Sequence, residues 1–113
     1  MDMLIDIKSL NIKANACKTL LSKAIGFTFS FSGKNSKLFI FNREKNVGIH
    51  MVFVFFPLIV VWLDKDKKIV KIKKMLPFVS YSKARAKYVL EIPYSEEIWN
   101  KLKKMFKSRL RMY

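Results

Sequence analysis

The residues that could do chemistry in this chain are few and lie far apart in the sequence. His50 is the one histidine and could act as a general base or a metal ligand. Its neighbours Ile49 and Met51 are apolar, which favours a packed strand residue instead. Cys17 is the one cysteine, so the sequence offers it no disulfide partner and no second thiolate for a metal site.

The acidic residues give no catalytic pair either. Asp64 and Asp66 could hold a divalent cation, but two carboxylates in a lysine-rich turn are more typical of a solvated hairpin turn. Glu91 lies in an otherwise apolar stretch, where a carboxylate needs a partner such as Arg85 or a lysine, which indicates a structural role. Because a glycine-rich phosphate-binding loop is also missing, the sequence predicts a non-catalytic protein without a cofactor or metal.

The charge of the chain is strongly positive and unevenly spread. The formal net charge is +15, from 23 Lys and Arg against 8 Asp and Glu. Residues 65–113 hold 15 of the basic residues and 4 of the acidic ones. A basic half of this kind suggests a polyanionic partner, either nucleic acid or an anionic membrane surface. A compositional bias toward lysine is the alternative, because 19 of the basic residues are Lys and the chain is also rich in Ile, Phe and Asn.

The candidate polyanion-binding residues are basic side chains of this second half, which would contact phosphates. They are Lys71, Lys73, Lys74, Lys83, Arg85, Lys87, Lys103, Lys104 and Lys107. Three aromatic residues interleaved with them could stack on bases, namely Phe78, Tyr81 and Tyr88.

Alternation of apolar and polar residues predicts a mostly β chain. The predicted elements are strands Met3–Ile7 and Leu10–Ala14, a short helix Ala16–Ile25, strands Phe27–Phe31 and Leu38–Phe41, a charged loop Asn42–Val47, central strands Ile49–Phe55 and Leu58–Leu63, a hairpin partner Ile69–Met75, a basic loop Pro77–Lys87 and a strand Tyr88–Ile92. Pro57 marks a break between the two central strands, because proline cannot donate to a β-ladder. The charged segment Asp64–Lys67 is the predicted hairpin turn.

A basic amphipathic helix is predicted over residues 95–111. Ser95 is placed to cap it, with Glu96 and Glu97 in the first turn. An apolar stripe follows at helical spacing, formed by Trp99, Leu102, Phe106 and Leu110. Packing of this stripe on the sheet is favoured over the weaker possibility that it lies on an anionic membrane.

Length and composition predict one domain over residues 1–113 with an aromatic-rich core, because 51% of the residues are hydrophobic and 10 are Phe. The first residues, MDMLIDIK, lack the pattern of a signal peptide. The apolar segment Val47–Leu63 contains His50 and Pro57 and is shorter than the roughly 20 residues of a membrane span, so buried strands are favoured. With a lone cysteine, these features predict a cytoplasmic protein.

These motifs, in this order, resemble the family called domain of unknown function 192. The matching segments cover residues 10–93 and keep the order and spacing of the family pattern. They are Lys18–Phe27 with its Gly26, Leu38–Phe41, Ile49–Met51, Pro57–Trp62, Asp64–Lys67 and Tyr88–Glu91. The resemblance implies a compact, mostly β fold with one or two helices. It implies no activity, because the function of the family is not established.

The departures from the family pattern concern polar positions. Much of the family is polar where this chain has Val52, Phe53 and Val54, and an acidic residue is usual where it has Ile59. If the family has a polar site there, this chain has lost most of it. The basic helix also replaces the usual glycine-containing tail.

The sequence therefore predicts an α+β domain with a mostly antiparallel, partly closed β-sheet, a short early helix and a C-terminal amphipathic helix. The favoured function is a non-catalytic binding or interaction module, with a pocket near His50, Met51 and Phe53. The alternative is sequence-nonspecific binding of RNA or DNA through the basic C-terminal half. The two hypotheses differ in whether the basic side chains form one continuous face or lie scattered around the molecule.

Overall fold

The computed structural model describes the backbone of residues 2–7, 10–17, 36–51 and 54–111, and the side chains of residues 36–51 and 54–107. Within these ranges the chain forms six strands and one helix. They are β1 Asp2–Ile7, β2 Leu10–Cys17, β3 Ser36–His50, β4 Leu58–Leu63, β5 Ile69–Met75, β6 Tyr81–Pro93 and α1 Glu96–Arg111.

Part of the predicted N-terminal half falls outside the described residues, namely the strand Phe27–Phe31 and residues 18–25 of the early helix. The two predicted strands before that helix are confirmed as β1 and β2. The helix does not begin at Ala16 as predicted, because Ala16 and Cys17 pair in parallel with Leu38 and Phe39 of β3 and so extend β2.

The strands form a single sheet in the order β1-β2-β3-β6-β4-β5. All neighbours are antiparallel except β2 and β3, so the prediction of a mostly antiparallel sheet is confirmed. The prediction of a partly closed sheet is wrong, since among the described strands β1 and β5 are the edges of an open sheet. Strand β5 contacts β6 through hydrogen bonds of a lysine side chain and not through a main-chain ladder. Lys71 Nζ donates to Ser82 Oγ at 2.5 Å and to the Lys83 carbonyl at 3.2 Å.

Strand β4 is the centre of the sheet. It lies between β6 and β5 and all six of its residues are buried, which explains its unbroken apolar sequence. The predicted bounds Leu58–Leu63 are confirmed, as is the break at Pro57. Strand β5 pairs back across the Asp64–Lys67 turn, as predicted.

Two segments predicted as loops belong to strands. Asn42–Val47 lies within β3, and residues 81–87 of the predicted basic loop lie within β6. The two strands pair along most of their length, with a register irregularity between Ile40 and Lys45. One surface of this ladder faces solvent, so the residues there are polar, and their polarity suggested loops. Their main chain is nevertheless paired in the sheet.

Strand β3 ends at His50, so the predicted strand Ile49–Phe55 is wrong at Met51, Val54 and Phe55, while its residues 52–53 lie outside the described residues. The Met51 carbonyl accepts a hydrogen bond from Val54 N at 3.1 Å and another from Phe78 N at 2.9 Å. Met51 N donates to the Ser80 carbonyl at 3.0 Å. The main chain at Met51 therefore turns and binds the β5–β6 connection instead of continuing the strand.

The first face of the sheet carries a core of Leu38, Ile59, Val61, Leu63, Ile69, Leu90 and Ile92. Helix α1 packs on it through the fully buried Leu102 and the partly buried Trp99 and Phe106. The predicted cap is present, since Ser95 Oγ accepts a hydrogen bond from Ile98 N at 3.4 Å. The described part of the apolar stripe of α1 is thus used for packing on the sheet. No helix among the described residues has the length and apolarity needed to cross a bilayer.

The second face carries a separate core of Phe39, Val47, Met51, Val54, Leu58, Val60, Trp62, Met75, Ala86 and Val89. Trp62 is fully buried in it, and its Nε1 donates to the Val47 carbonyl at 3.0 Å. Beyond the register irregularity, the β3–β6 ladder therefore bends across the second face and covers Trp62. This bend leaves the other side of the ladder exposed.

Candidate functional site

The exposed side of the bent ladder forms one continuous surface, here called the outer ladder surface. Its residues alternate along the two strands with core residues such as Val47 and Ala84, and all of them are exposed. Three direct cross-strand pairs make it up: Asn46 with Arg85, Gly48 with Lys83, and His50 with Tyr81.

Tyr81 is the aromatic residue of this surface, and Gly48 makes room for it. A Cβ added to Gly48 would lie 2.7 Å from Tyr81 Oη and 3.2 Å from Cε2 and Cζ. The ring therefore rests against the main chain of β3 at a position where any side chain would displace it. Although packed in this way, Tyr81 keeps 59% of its surface exposed. An exposed aromatic ring held in place by the sheet is suited to stacking against a planar ligand.

The charge of the outer ladder surface is positive. Lys83 is exposed, and the side chain of Arg85 is 65% exposed. Arg85 Nε lies 3.7 Å from Glu44 Oε1, while Glu44 Oε2 accepts a hydrogen bond from the main-chain N of Lys65 at 2.8 Å. Glu44 is thus engaged by the β4–β5 turn and offsets only part of the positive charge. In the sequence, no acidic residue occurs between Asp66 and Glu91.

The structure separates the predicted polyanion-binding residues into groups. Lys83 and Arg85 lie together on the outer ladder surface. Four others lie over aromatic rings of the domain at 4.2 to 5.7 Å from the ring centroid: Lys71 on Trp62, Lys74 on Tyr94, Lys87 on Tyr88 and Lys103 on Trp99. Lys73 is half-buried on β5, opposite Val60. Lys104 and Lys107 are exposed on α1. The basic residues are therefore not one continuous face, which counts against binding through the whole basic half. The outer ladder surface holds the two, Lys83 and Arg85, that lie on one surface with the exposed ring of Tyr81.

Two of the three residues of the predicted pocket are among the described residues, and they lie in different surroundings. His50 is exposed on the outer ladder surface, whereas Met51 is fully buried in the second-face core and lines no open surface. Phe53 lies outside the described residues. His50 instead contributes to the outer ladder surface through its pairing with Tyr81.

The other residues considered for chemistry have structural surroundings. Asp64 Oδ1 accepts hydrogen bonds from Asp66 N at 2.8 Å and Lys68 N at 3.0 Å, so it organises the β4–β5 turn. The side chain of Cys17 lies outside the described ranges. Within those ranges no three His, Cys, Asp or Glu residues come together to form a metal site.

Glu91 is buried in the second face, directly across from Lys37 of β3 and Val60 of β4. Burial raises the pKa of Glu91 to about 7, and the charge of Lys37 acts in the opposite direction. The partners suggested from the sequence were Arg85 or a lysine. Arg85 lies near Glu44 on the other part of the ladder, whereas Lys37 is the lysine directly across from Glu91.

Comparison with known proteins agrees with the motifs in the sequence. The sequence matches DUF192, described as "Uncharacterized ACR", over residues 3–101. The chain belongs to the DUF192 family. No curated protein matches it.

Two solved structures share the fold. One is a "putative transcription regulator" from Sinorhizobium meliloti 1021, with a TM-score of 0.68 and 18% identity, covering 80% of this chain and 76% of that one. The other is a protein of unknown function from Novosphingobium aromaticivorans DSM 12444, with a TM-score of 0.64 and 17% identity, covering 82% of this chain and 81% of that one. At these identities the likeness concerns the fold alone, so a function for this DUF192 protein has to be argued from its own surface.

Sequence reasoning named Tyr81, Lys83 and Arg85 separately and missed what brings them together. The contact between Gly48 and Tyr81 can be predicted only if the register between β3 and β6 is known. The polar residues of these two strands were interpreted as two loops, so this register was not predicted. One signal was available: Tyr81, Lys83 and Arg85 alternate with Ser82, Ala84 and Ala86, which is the period of a strand with a small-residue inner side.

Proposed function

We propose that this DUF192 protein is a non-catalytic, cytoplasmic binding protein whose ligand is single-stranded nucleic acid, bound at the outer ladder surface without sequence specificity. The observation that carries the proposal is the exposed ring of Tyr81, seated on Gly48 and followed along the same strand by Lys83 and Arg85. Proteins that bind single strands combine stacking rings with a basic path for the backbone.

Stacking explains why a single strand is favoured over a duplex. In a single strand the bases are free to lie on an aromatic ring, and each stacked base contributes roughly 1–3 kcal/mol. Tyr81 supplies such a ring without a conformational change, because Gly48 already holds it against the sheet. A ring that is positioned before binding loses little freedom when the ligand arrives.

Phosphate contacts supply the second part of the affinity. The exposed Lys83 and Arg85 lie on the same side of β6 as Tyr81, and neighbouring positions of β3 add the polar Asn46 and His50. Each phosphate neutralised on a single strand releases counterions, so the affinity falls as salt is added, with a logarithmic slope of about −0.7 per contact.

The test measures the anisotropy of a labelled mixed-sequence DNA or RNA oligonucleotide, single-stranded and as a duplex, across a salt series. We expect micromolar or tighter binding at low salt, with the single strand preferred. Tyr81→Ala should weaken binding roughly tenfold with little change in salt slope. Lys83→Ala should lower the salt slope by about 0.7. Lys104→Ala on α1 removes the same charge elsewhere and is the matched control.

Gly48→Ala gives a sharper test, because it keeps the ring and every charge but forces Tyr81 to move. We expect weaker binding from a normally folded variant, since the clash involves the outer part of the Tyr81 ring. Equal affinity of Tyr81→Ala and the unmodified protein, or a preference for the duplex, would refute the stacking site. A Lys104→Ala variant as weak as Lys83→Ala would show that binding follows overall charge.

A further inference from the structure

A second exposed feature lies at the connection between β5 and β6. Leu76, Phe78 and Val79 project from this connection, and Val79 is 77% exposed. Phe55, from the segment before β4, joins them through an edge-to-face contact with Phe78, with ring centroids 5.3 Å apart. These four residues are called the apolar tip. They form an exposed apolar cluster, whereas most other large apolar residues among the described side chains belong to or pack against the two cores.

The apolar tip is held in a defined shape by the main chain. Phe78 has a φ of 67°, in the left-handed region that aromatic residues rarely adopt. Its N–H donates to the Met51 carbonyl at 2.9 Å, which fixes this conformation. Ser80 Oγ accepts from Leu76 N at 2.8 Å and closes the turn from the other side. The main chain therefore keeps Phe78 and Val79 exposed despite the strain.

Basic residues flank the apolar tip on both sides in the sequence, with no acidic residue among them. The segment from residue 71 to residue 87 reads KIKKMLPFVSYSKARAK. Lys74 precedes the tip and is exposed, with its Nζ 4.2 Å from the centroid of the Tyr94 ring, and Lys83 follows the tip and is exposed. An apolar projection bordered by lysines is complementary to a surface that is apolar inside and negatively charged outside.

We propose that the apolar tip inserts into the interface of an anionic lipid bilayer while the flanking lysines contact the headgroups. A protein partner is the less favoured occupant, because a stable protein interface buries about 800 Å² on each side, more than a few side chains of one turn provide. A bilayer needs no complementary groove, and its attraction for basic residues adds up over the whole flanking segment. Lys83 is shared with the proposed nucleic-acid site, whereas the four residues of the apolar tip are not part of that site.

The test is co-sedimentation of the protein with phosphatidylcholine vesicles, with and without phosphatidylserine. We expect binding to the vesicles that contain phosphatidylserine and little binding to phosphatidylcholine alone. Val79→Asp should lose about tenfold more binding than Val70→Asp, a matched control that places the same charge at an exposed apolar position of β5 outside the tip. Because Val79 is so exposed, the variant should keep its fold, which tryptophan fluorescence checks.

Val79→Ser separates this inference from the proposed function, since it removes apolar surface without changing the charge. We expect it to weaken vesicle binding and leave oligonucleotide binding unchanged, whereas Tyr81→Ala weakens oligonucleotide binding. Equal losses for Val79→Asp and Val70→Asp would show attraction by charge without insertion and would overturn the proposal. So would an unmodified protein that does not bind phosphatidylserine vesicles at low salt.

Discussion

Glu91 should make the stability of the protein depend on pH in the neutral range. Its side chain is buried in the second face, and burial raises its pKa from 4.5 to about 7, with the charge of Lys37 opposing the rise. In the unfolded chain the carboxyl group loses its proton near pH 4.5, whereas in the folded protein it keeps the proton until about pH 7. The folded state therefore holds the proton more tightly, and the stability that this contributes is complete below pH 4.5 and lost as pH rises through 7.

The size of this effect follows from the difference between the two pKa values. Each pKa unit corresponds to about 1.4 kcal/mol, so the free energy of unfolding should fall by about 3 kcal/mol across this range. Lys37 of β3 lies directly across from Glu91. On the other side of Glu91 lies Val60 of β4, and Lys73 of β5 lies across from Val60.

The experiment compares the unmodified protein with Glu91→Gln by urea denaturation at several pH values from 5 to 8. The amide is close in shape to the protonated carboxyl group and does not ionise. The difference in unfolding free energy between the two proteins should therefore shift by about 2.5 kcal/mol in favour of Glu91→Gln between pH 5 and pH 8. Glu97→Gln, the same substitution at an exposed position of α1, is the matched control. Parallel pH curves for Glu91→Gln and the unmodified protein would refute the argument.

Two further predictions concern the second-face core. Val60→Asp should unfold the domain, because Val60 is fully buried in the central strand and a lone buried carboxylate costs several kcal/mol, on the order of the whole stability; a normal melting curve would contradict the placement of β4. Trp62→Phe should lower the free energy of unfolding by about 2–3 kcal/mol, because it leaves a cavity and removes the donor to the Val47 carbonyl. Urea denaturation measures this loss, and a change below about 0.5 kcal/mol would show that the bent ladder does not depend on that bond.

The apolar half of the fold could be predicted from the sequence because apolar periodicity is a local signal. The run Leu58–Leu63 has no polar residue and is the buried central strand, and the stripe containing Leu102 packs α1 on the sheet. The long strands β3 and β6 could not be predicted at full length. Their second halves are polar because they bend across the second face and turn one side to solvent, which is a tertiary effect.

The candidate site was predicted only as separate residues. Lys83, Arg85 and Tyr81 were identified by type, but charge alone could not distinguish them from Lys71 or Lys74, which lie over aromatic rings of the domain. That distinction depends on which side of a strand each residue occupies. The burial of Met51 could not be predicted for a related reason, since an apolar residue beside the lone histidine looks the same in sequence whether it lines a pocket or fills a core.

The placement of the two tryptophans gives each face of the sheet its own optical probe. Trp62 is sealed within the second-face core beneath the bent ladder, and Trp99 packs at the first-face core from α1. Since the chain contains no other tryptophan, the fluorescence of a Trp99→Phe variant comes from the second face alone. Its unfolding curve, compared with circular dichroism of the same sample, reports whether the ladder opens before or together with the rest of the sheet. The two tryptophans therefore allow the cooperativity of unfolding between the two cores to be measured without an added label.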